Sequence, residues 1–486
     1  MHRRFRTSLA TATVAALTGG LLAATAGTAA ADGARPTADF NNDGYRDIAV
    51  SAPNAYVDGK EAAGQVLVLY GSPDGLIRTS KRAVISQNSS GVPGAAETGD
   101  QFGYDTTVAD FNNDGYTDLA VGAPGEKVDN DVDGGTVQII WGSPSGLSGG
   151  TTVPDPAVSS HDRFGRSLDA ADYNGDDKAD LAIGSSSATV RVYRGGFGKT
   201  KGQTGGVYSV RPSIVSGGVG GPLSLHSGDV NGDDIADLVV DGFEDDSAEG
   251  WNANYYLPGS PSGLTKTGEE KLPAGVITDI GDVNSDGFGD IVIGMEFDAD
   301  VPGSSPGGKV NIINGSASGP VGRPLTITQD TPGVPGGSET GDAFGAELDL
   351  GDVNGDGHLD LAVGAPGESL GGEEATGAVV VLYGAADGSG ITGAGSQFID
   401  QSTEGVPGSN ETGDFFGSDV HLADMNGDDR ADLTIGVAGE NGGNGGVVTM
   451  QSDSARIRLS AGVSFSPTLV GISTSGTPRL GINFAG

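Results

Sequence analysis

Apolar residues in this chain fall in short runs of Val, Ile, Leu and Ala bounded by Gly, Ser, Asn or Pro, as in Asp118-Leu119-Ala120-Val121 and Asp360-Leu361-Ala362-Val363. Long helix-forming stretches are few, so the pattern predicts an all-β chain. Each such run follows a polar loop of the form Asp-x-Asn-x-Asp-[Gly/Asp]-x-x-Asp. Copies begin at Asp39, Asp110, Asp172, Asp229, Asp282, Asp352 and Asp424, spaced 71, 62, 57, 53, 70 and 72 residues apart. A recurrence of that kind marks a repeat array rather than a set of unrelated domains.

Each repeat reads as four strands, for example 103–109, 118–122, 136–141 and a weaker fourth near 151–153. Four-stranded units repeated radially make a β-propeller, and seven copies predict seven blades. The segment after Asp424 is 62 residues long and ends in Leu480-Gly481-Ile482-Asn483-Phe484-Ala485-Gly486, similar to the strand that precedes every loop except the first. The C-terminal segment is therefore expected to supply the first strand of the N-terminal blade and close the ring, leaving no open edge. Alternating strand direction puts the Asp-rich loops and the Gly-Ser-Pro-Ser-Gly-Leu turns (142–147, 259–264) on one face. The other face takes the longest connections, 54–61, 126–133, 241–251 and 296–307, and the near-identical Gly91-Val92-Pro93-Gly94-x-x-Glu97-Thr98-Gly99-Asp100, repeated from Gly333 and Gly405. Partner recognition is expected there, because binding residues concentrate on loops held by a rigid scaffold.

The Asp-rich loops offer only oxygen at positions 1, 3, 5 and 9, with the backbone carbonyl at position 7 as a fifth donor. The candidate ligands are Asp39, Asn41, Asp43, Tyr45 and Asp47 in the first copy, then Asp110, Asn112, Asp114, Tyr116 and Asp118. Asp172, Asn174, Asp176, Lys178 and Asp180 follow, then Asp229, Asn231, Asp233, Ile235 and Asp237. The last three sets are Asp282, Asn284, Asp286, Phe288 and Asp290; Asp352, Asn354, Asp356, His358 and Asp360; and Asp424, Asn426, Asp428, Arg430 and Asp432. A hard oxygen set without Cys suits Ca²⁺ and not zinc or copper, so up to seven calcium ions are expected. Position 6 is Gly44, Gly115, Gly287 or Gly357, and elsewhere Asp177, Asp234 or Asp429, residues that tolerate a left-handed backbone. Asp, Asn and Gly also favour plain Asx-turns, which is the alternative reading. An EF-hand would need Glu at position 12, where this chain has Val50, Val121, Ile183, Val240, Ile293, Val363 and Ile435.

The flanks of these loops add a family resemblance. Phe102-Gly103 before the second loop and Gly122-Ala123-Pro124 after it, with Phe344-Gly345 and Gly364-Ala365-Pro366 around the sixth, resemble the FG-GAP repeats of integrin α-chain propellers and of secreted bacterial proteins. Phe416-Gly417 with Gly436-Val437-Ala438 nearly matches; Phe164-Gly165 is followed by Gly184-Ser185-Ser186, and the copies at Asp229 and Asp282 keep neither flank. The resemblance implies a calcium-bearing propeller that recognises an extracellular protein or glycan. Propellers of this kind also accompany hydrolases acting on phosphodiesters or polysaccharides, so a hydrolase-associated or purely structural role is the alternative.

Composition bounds the setting. Arg3, Arg4 and Arg6, an apolar stretch over about 9–26 and Ala29-Ala30-Ala31 read as a secretory signal over 1–31, leaving 32–486 as a single propeller without a transmembrane anchor. The arginine pair does not settle the export route. The formal charge of −39 becomes −42 without those arginines, which argues against nucleic acid as a partner. With no cysteine, the exported fold must be held by its core and bound metal. No enzyme is expected: His161, His226, His358 and His421 have no partner pattern. Gly303-Ser304-Ser305-Pro306-Gly307 also lacks the following helix of a nucleophile elbow.

Overall fold

A computed structural model describes residues 37–202, 205–299 and 301–486. The signal-peptide reading of 1–31 lies outside them. The described residues form seven four-stranded antiparallel sheets, each running outward in strand order one to four, and the first strands of successive sheets line a central channel. This is the seven-bladed propeller read from the repeats.

Burial explains why the second strands were the clearest signal. Asp118–Ala123, Asp360–Ala365 and Asp432–Val437 are buried at every position, because neighbouring blades cover both faces of the strand. Fourth strands lie at the rim, and Val321–Ile327 is exposed at all but its last residue. The fourth strand of blade two is Ser148–Thr152, starting three residues before the expected segment. A register shift between Ile139 and Trp141 lets its Gly-rich start pair, and that start carries no apolar signal. The middle blades form fully despite their altered flanks, with strands at Leu225–Gly228, Asp237–Phe243, Asn252–Leu257 and Glu270–Leu272 in the fourth.

The cores lie between blades. Val66, Val68, Tyr70 and Phe102 pack with Val108, Leu119, Val121 and Ile140 at the junction of blades one and two. Loop position 2 anchors this packing in all seven copies: Phe40, Phe111, Tyr173, Val230, Val283, Val353 and Met425 are each at most 3% exposed.

Ring closure follows the expected route. Phe484–Ala485 pairs antiparallel with Ile48–Ala52 through Ala49↔Ala485 and Val50↔Phe484, giving the first blade its innermost strand. The closing joint also reproduces the joints elsewhere. At four other junctions the Phe of Phe-Gly donates its amide to the preceding blade: Phe102 to Ala63 at 3.0 Å, Phe164 to Gly134 at 3.0 Å, Phe344 to Gly307 at 2.8 Å and Phe416 to Thr376 at 3.0 Å. At closure Leu480 takes this place, donating to Asn444 at 3.2 Å. Glycine is required opposite: Gly445 has φ +78°, and a Cβ there would stand 2.3 Å from the Leu480 carbonyl oxygen.

Candidate metal centres

Each Asp-rich loop is a turn wound around its own first carboxylate. Asp39 accepts the amides of Asp43 (3.1 Å) and Gly44 (2.9 Å), and Asp172 accepts those of Gly175 (2.7 Å), Asp176 (3.2 Å) and Asp177 (2.6 Å). The fifth residue then takes the amide of the seventh, as Asp43 does from Tyr45 at 3.2 Å and Asp356 from His358 at 3.0 Å. Position 6 is left-handed in every copy, with φ +90° at Gly44 and +59° at Asp177, as its residue types require. Position 4 is left-handed too, at Asn42, Asn113 and Ser285 as well as at glycines, which the sequence reading did not mark.

Position 9 does more than the spacing suggested. Asp47, Asp118, Asp180, Asp237, Asp290, Asp360 and Asp432 are at most 1% exposed. One carboxylate oxygen of Asp47 takes the amide of Phe40 at loop position 2 (2.9 Å), and the other takes Gly71 at the turn after the third strand (2.9 Å). The last bond recurs from Gly142, Gly195, Gly259, Gly315, Gly384 and Ser452 to the other six. This residue therefore brackets three parts of its blade, and the bracket needs no ion. The position-3 amide joins it in five copies, Asn112 donating to Asp118 at 3.0 Å and Asn174 to Asp180 at 2.8 Å.

Electrostatics show that the three carboxyls of a loop converge. Asp47, Asp118, Asp237, Asp290, Asp360 and Asp432 are pushed up to about 7 and Asp180 to about 6, by burial first. Negative charge at position 1 adds to the burial effect in every copy, and that at position 5 in all but the Asp237 copy. The donor set fits a hard cation on a further observation. Asn41 Oδ1 in the first loop and Asp428 Oδ1 in the seventh are buried and accept no hydrogen bond. The residues that would hold Ca²⁺ are those at positions 1, 3, 5 and 9 of each loop, with the position-7 carbonyl.

Position-7 side chains do other work: Lys178 and Arg430 reach Asp176 and Asp428 of their own loops at 3.3 and 2.6 Å, and others link neighbouring loops. Ser285 and His358 Nδ1 of consecutive loops are 3.0 Å apart, and a Cβ at Gly427 would lie 2.9 Å from the ring of Tyr45. Backbone bonds repeat the linkage: Ala236 donates to the Asp172 carbonyl, Ala431 to Asp352 and Arg46 to Asp424. These contacts tie neighbouring loops together along this face.

The central channel is a second polar site, with a volume of about 360 Å³. Its carboxylates fasten the first strands of adjacent blades: Asp105 accepts the amide of Leu168 (2.8 Å), Asp279 that of Leu350 (2.8 Å) and Asp349 that of Leu422 (2.6 Å). Histidines besides His358 also have partners that spacing could not reveal, His421 Nδ1 lying 3.0 Å from Asp349 and His161 Nε2 lying 3.2 Å from Asp155. Burial pushes Asp105 up to about 7 and holds Glu347 and Asp419 well above the carboxylate range, Glu347 further raised by Glu296 and Asp105, and Asp419 by Glu347. A raised carboxyl stabilises the fold most below its unfolded pKa, and this is lost as pH rises through the folded value. Asp105→Asn should therefore gain in melting temperature relative to the parent as pH rises from about 5 to 8, as thermal scans at each pH will show.

The chain matches the FG-GAP repeat model at residues 36–69, 102–150, 164–210 and 344–382. It is 36% identical over 177 residues to the phosphatidylinositol-glycan-specific phospholipase D of Bos taurus, a match covering 36% of this chain and 20% of that one. It is 30% identical over 157 residues to human integrin alpha-6, covering 32% and 12%. It is also 28% identical over 232 residues to integrin alpha-PS2 of Drosophila melanogaster, covering 44% and 16%. The matched region thus spans about a fifth or less of these relatives' lengths. A solved exotype rhamnogalacturonan lyase aligns over 87% of this chain and 75% of its own with a TM-score of 0.41 and 12% identity, too distant to bear on function. The chain thus carries FG-GAP repeats within a ring closed from seven four-stranded blades, a β-propeller similar in sequence to integrin α chains.

Proposed function

We propose that this is a secreted, calcium-loaded propeller that recognises a protein or glycan through the face opposite its Asp-rich loops. The observation that carries the reading is the distribution of exposed apolar side chains. Of eight large ones exposed among the described residues, Tyr104, Val132, Val215, Val219 and Phe415 belong to the connections of that face. Binding residues concentrate on loops held by a rigid scaffold, and these connections are where this chain exposes apolar side chains. The opposite face is occupied by the loop belt, whose oxygens are turned inward, so calcium there acts as structure and not as contact. No helix among the described residues is long and apolar enough to cross a membrane, and secretion rests on the N-terminal leader pattern.

Glycan-array and extracellular-protein binding assays of the full chain test this. A saturable ligand is expected, with affinity falling about tenfold or more in a Val132→Ser/Val219→Ser/Phe415→Ser variant that keeps its melting temperature. Binding unchanged in that variant would sink the assignment of the face. Turnover of a bound glycan or phosphodiester would replace recognition with catalysis.

A further inference from the structure

The three near-identical connections 91–100, 333–342 and 405–414 are unexplained by the loop sites, which lie on the other face. Each runs between two blades and meets the Glu that follows the next blade's second strand. Between blades five and six, carboxylate oxygens of Glu339, Asp342 and Glu368 lie within 4.8 Å of one another. Glu97, Asp100 and Glu126 hold the corresponding sequence positions between blades one and two, and Glu411, Asp414 and Glu440 between blades six and seven. The backbone setting is shared. The Asp carboxylate accepts the amide of its own Glu (Glu97 2.5 Å, Glu339 2.6 Å, Glu411 3.0 Å), and the Asp carbonyl accepts Gly125, Gly367 or Gly439 at 2.9–3.1 Å.

Carboxylates gathered at a surface are common without a ligand, but a second feature sets these apart. A glutamine at the end of the preceding blade reaches into each group: Gln87, Gln329 and Gln401, only 2%, 2% and 3% exposed. Its Nε2 donates to Glu126 (2.5 Å), Glu368 (2.7 Å) or Glu440 (2.8 Å). Its Oε1 is buried without a hydrogen-bond partner in all three copies. A buried amide oxygen left unpaired is costly, and one repeated three times calls for a partner. Half a turn of the amide brings Oε1 toward the carboxylates, an orientation that a cation between them would favour.

We infer three further divalent-cation sites of the calcium class, at the junctions of blades one and two, five and six, and six and seven, on the face opposite the Asp-rich loops. The ligands at the second junction are Glu339, Asp342, Glu368 and Gln329, with the corresponding residues at the other two. Each ion joins the end of one blade to the next, so these sites fasten the face assigned to recognition. The acidic group Asp131, Asp133 and Asp162, between blades two and three, has no such buried amide and is not included. The inference stands independently of the loop sites.

Native mass spectrometry of the full chain at saturating calcium, compared with a Glu126→Gln/Glu368→Gln/Glu440→Gln variant, tests it. The variant should bind three fewer ions and, in chelator, melt no lower than the parent, because each substitution removes repulsion. Equal counts near seven in both proteins would overturn these sites and leave the loops standing. Three ions in the parent and none in the variant would do the reverse. A variant that fails to fold leaves a second route: parent crystals soaked in Mn²⁺ should show anomalous density between Glu339, Asp342 and Glu368, and its absence would overturn the proposal.

Discussion

Stripping calcium from the full chain should lower its melting temperature by roughly 10 °C. With affinities of about 10⁻⁴ M, usual for extracellular calcium modules, and about 1 mM free calcium, each loop adds about 1.4 kcal/mol, so seven add about 10 kcal/mol. For a ring of this length the unfolding entropy is about 0.9 kcal/mol per degree, which converts that sum into the stated shift. The chelated protein should still fold, because the position-9 bracket and the interblade cores persist without metal. Single substitutions separate the two contributions. In chelator Asp39→Asn should cost only about 0.5–1 kcal/mol, since at this exposed turn the Asn oxygen still accepts one of the amides of Asp43 and Gly44. Asp47→Ala should still cost about 2–4 kcal/mol, since it strands the amides of Phe40 and Gly71. Equal effects of the two substitutions in chelator would show that position 9 is only a ligand.

Removing 478–486 should have an effect about half as large or more. The deletion takes away the buried Leu480, the partner strand Phe484–Ala485 and the bond that Gly481 donates to Ser51 at 3.1 Å. Burial of Leu480 and of the half-buried Ile482 and Phe484 accounts for about 5 kcal/mol. The exposed edge of Ile48–Ala52 would then invite pairing with another chain. Expected results are a melting temperature lower by about 5 °C or more and concentration-dependent association in sedimentation. Gly445→Val, which keeps the strand but blocks its joint, should lower the melting temperature in the same direction. A truncated protein that melts like the parent and stays monomeric would show that the ring is closed elsewhere.

Architecture was legible because one loop recurs seven times ahead of strands buried on both sides. Even the closing strand could be read, since Leu480-Gly481 keeps the place of Phe-Gly although Leu has no aromatic ring. What escaped the sequence was whatever depends on neighbours far along the chain. Asp47 and its counterparts look like ligands by spacing, and only the fold shows them holding the turn after the third strand. Position 2 is apolar in every copy, a signal present in the sequence but submerged beneath the acidic pattern. The partners of His421 and His161 depend on side-chain approach that spacing does not encode. Gln87, Gln329 and Gln401 give no hint beyond their constant distance from the repeated connection, because their significance lies in an oxygen that finds no donor.

Metal analysis of the purified full chain, with and without Asp110→Ala, tests the central claim most directly. At least seven calcium ions per chain are expected, one fewer in the variant. A parent that binds no calcium and melts identically in calcium and chelator would contradict the account.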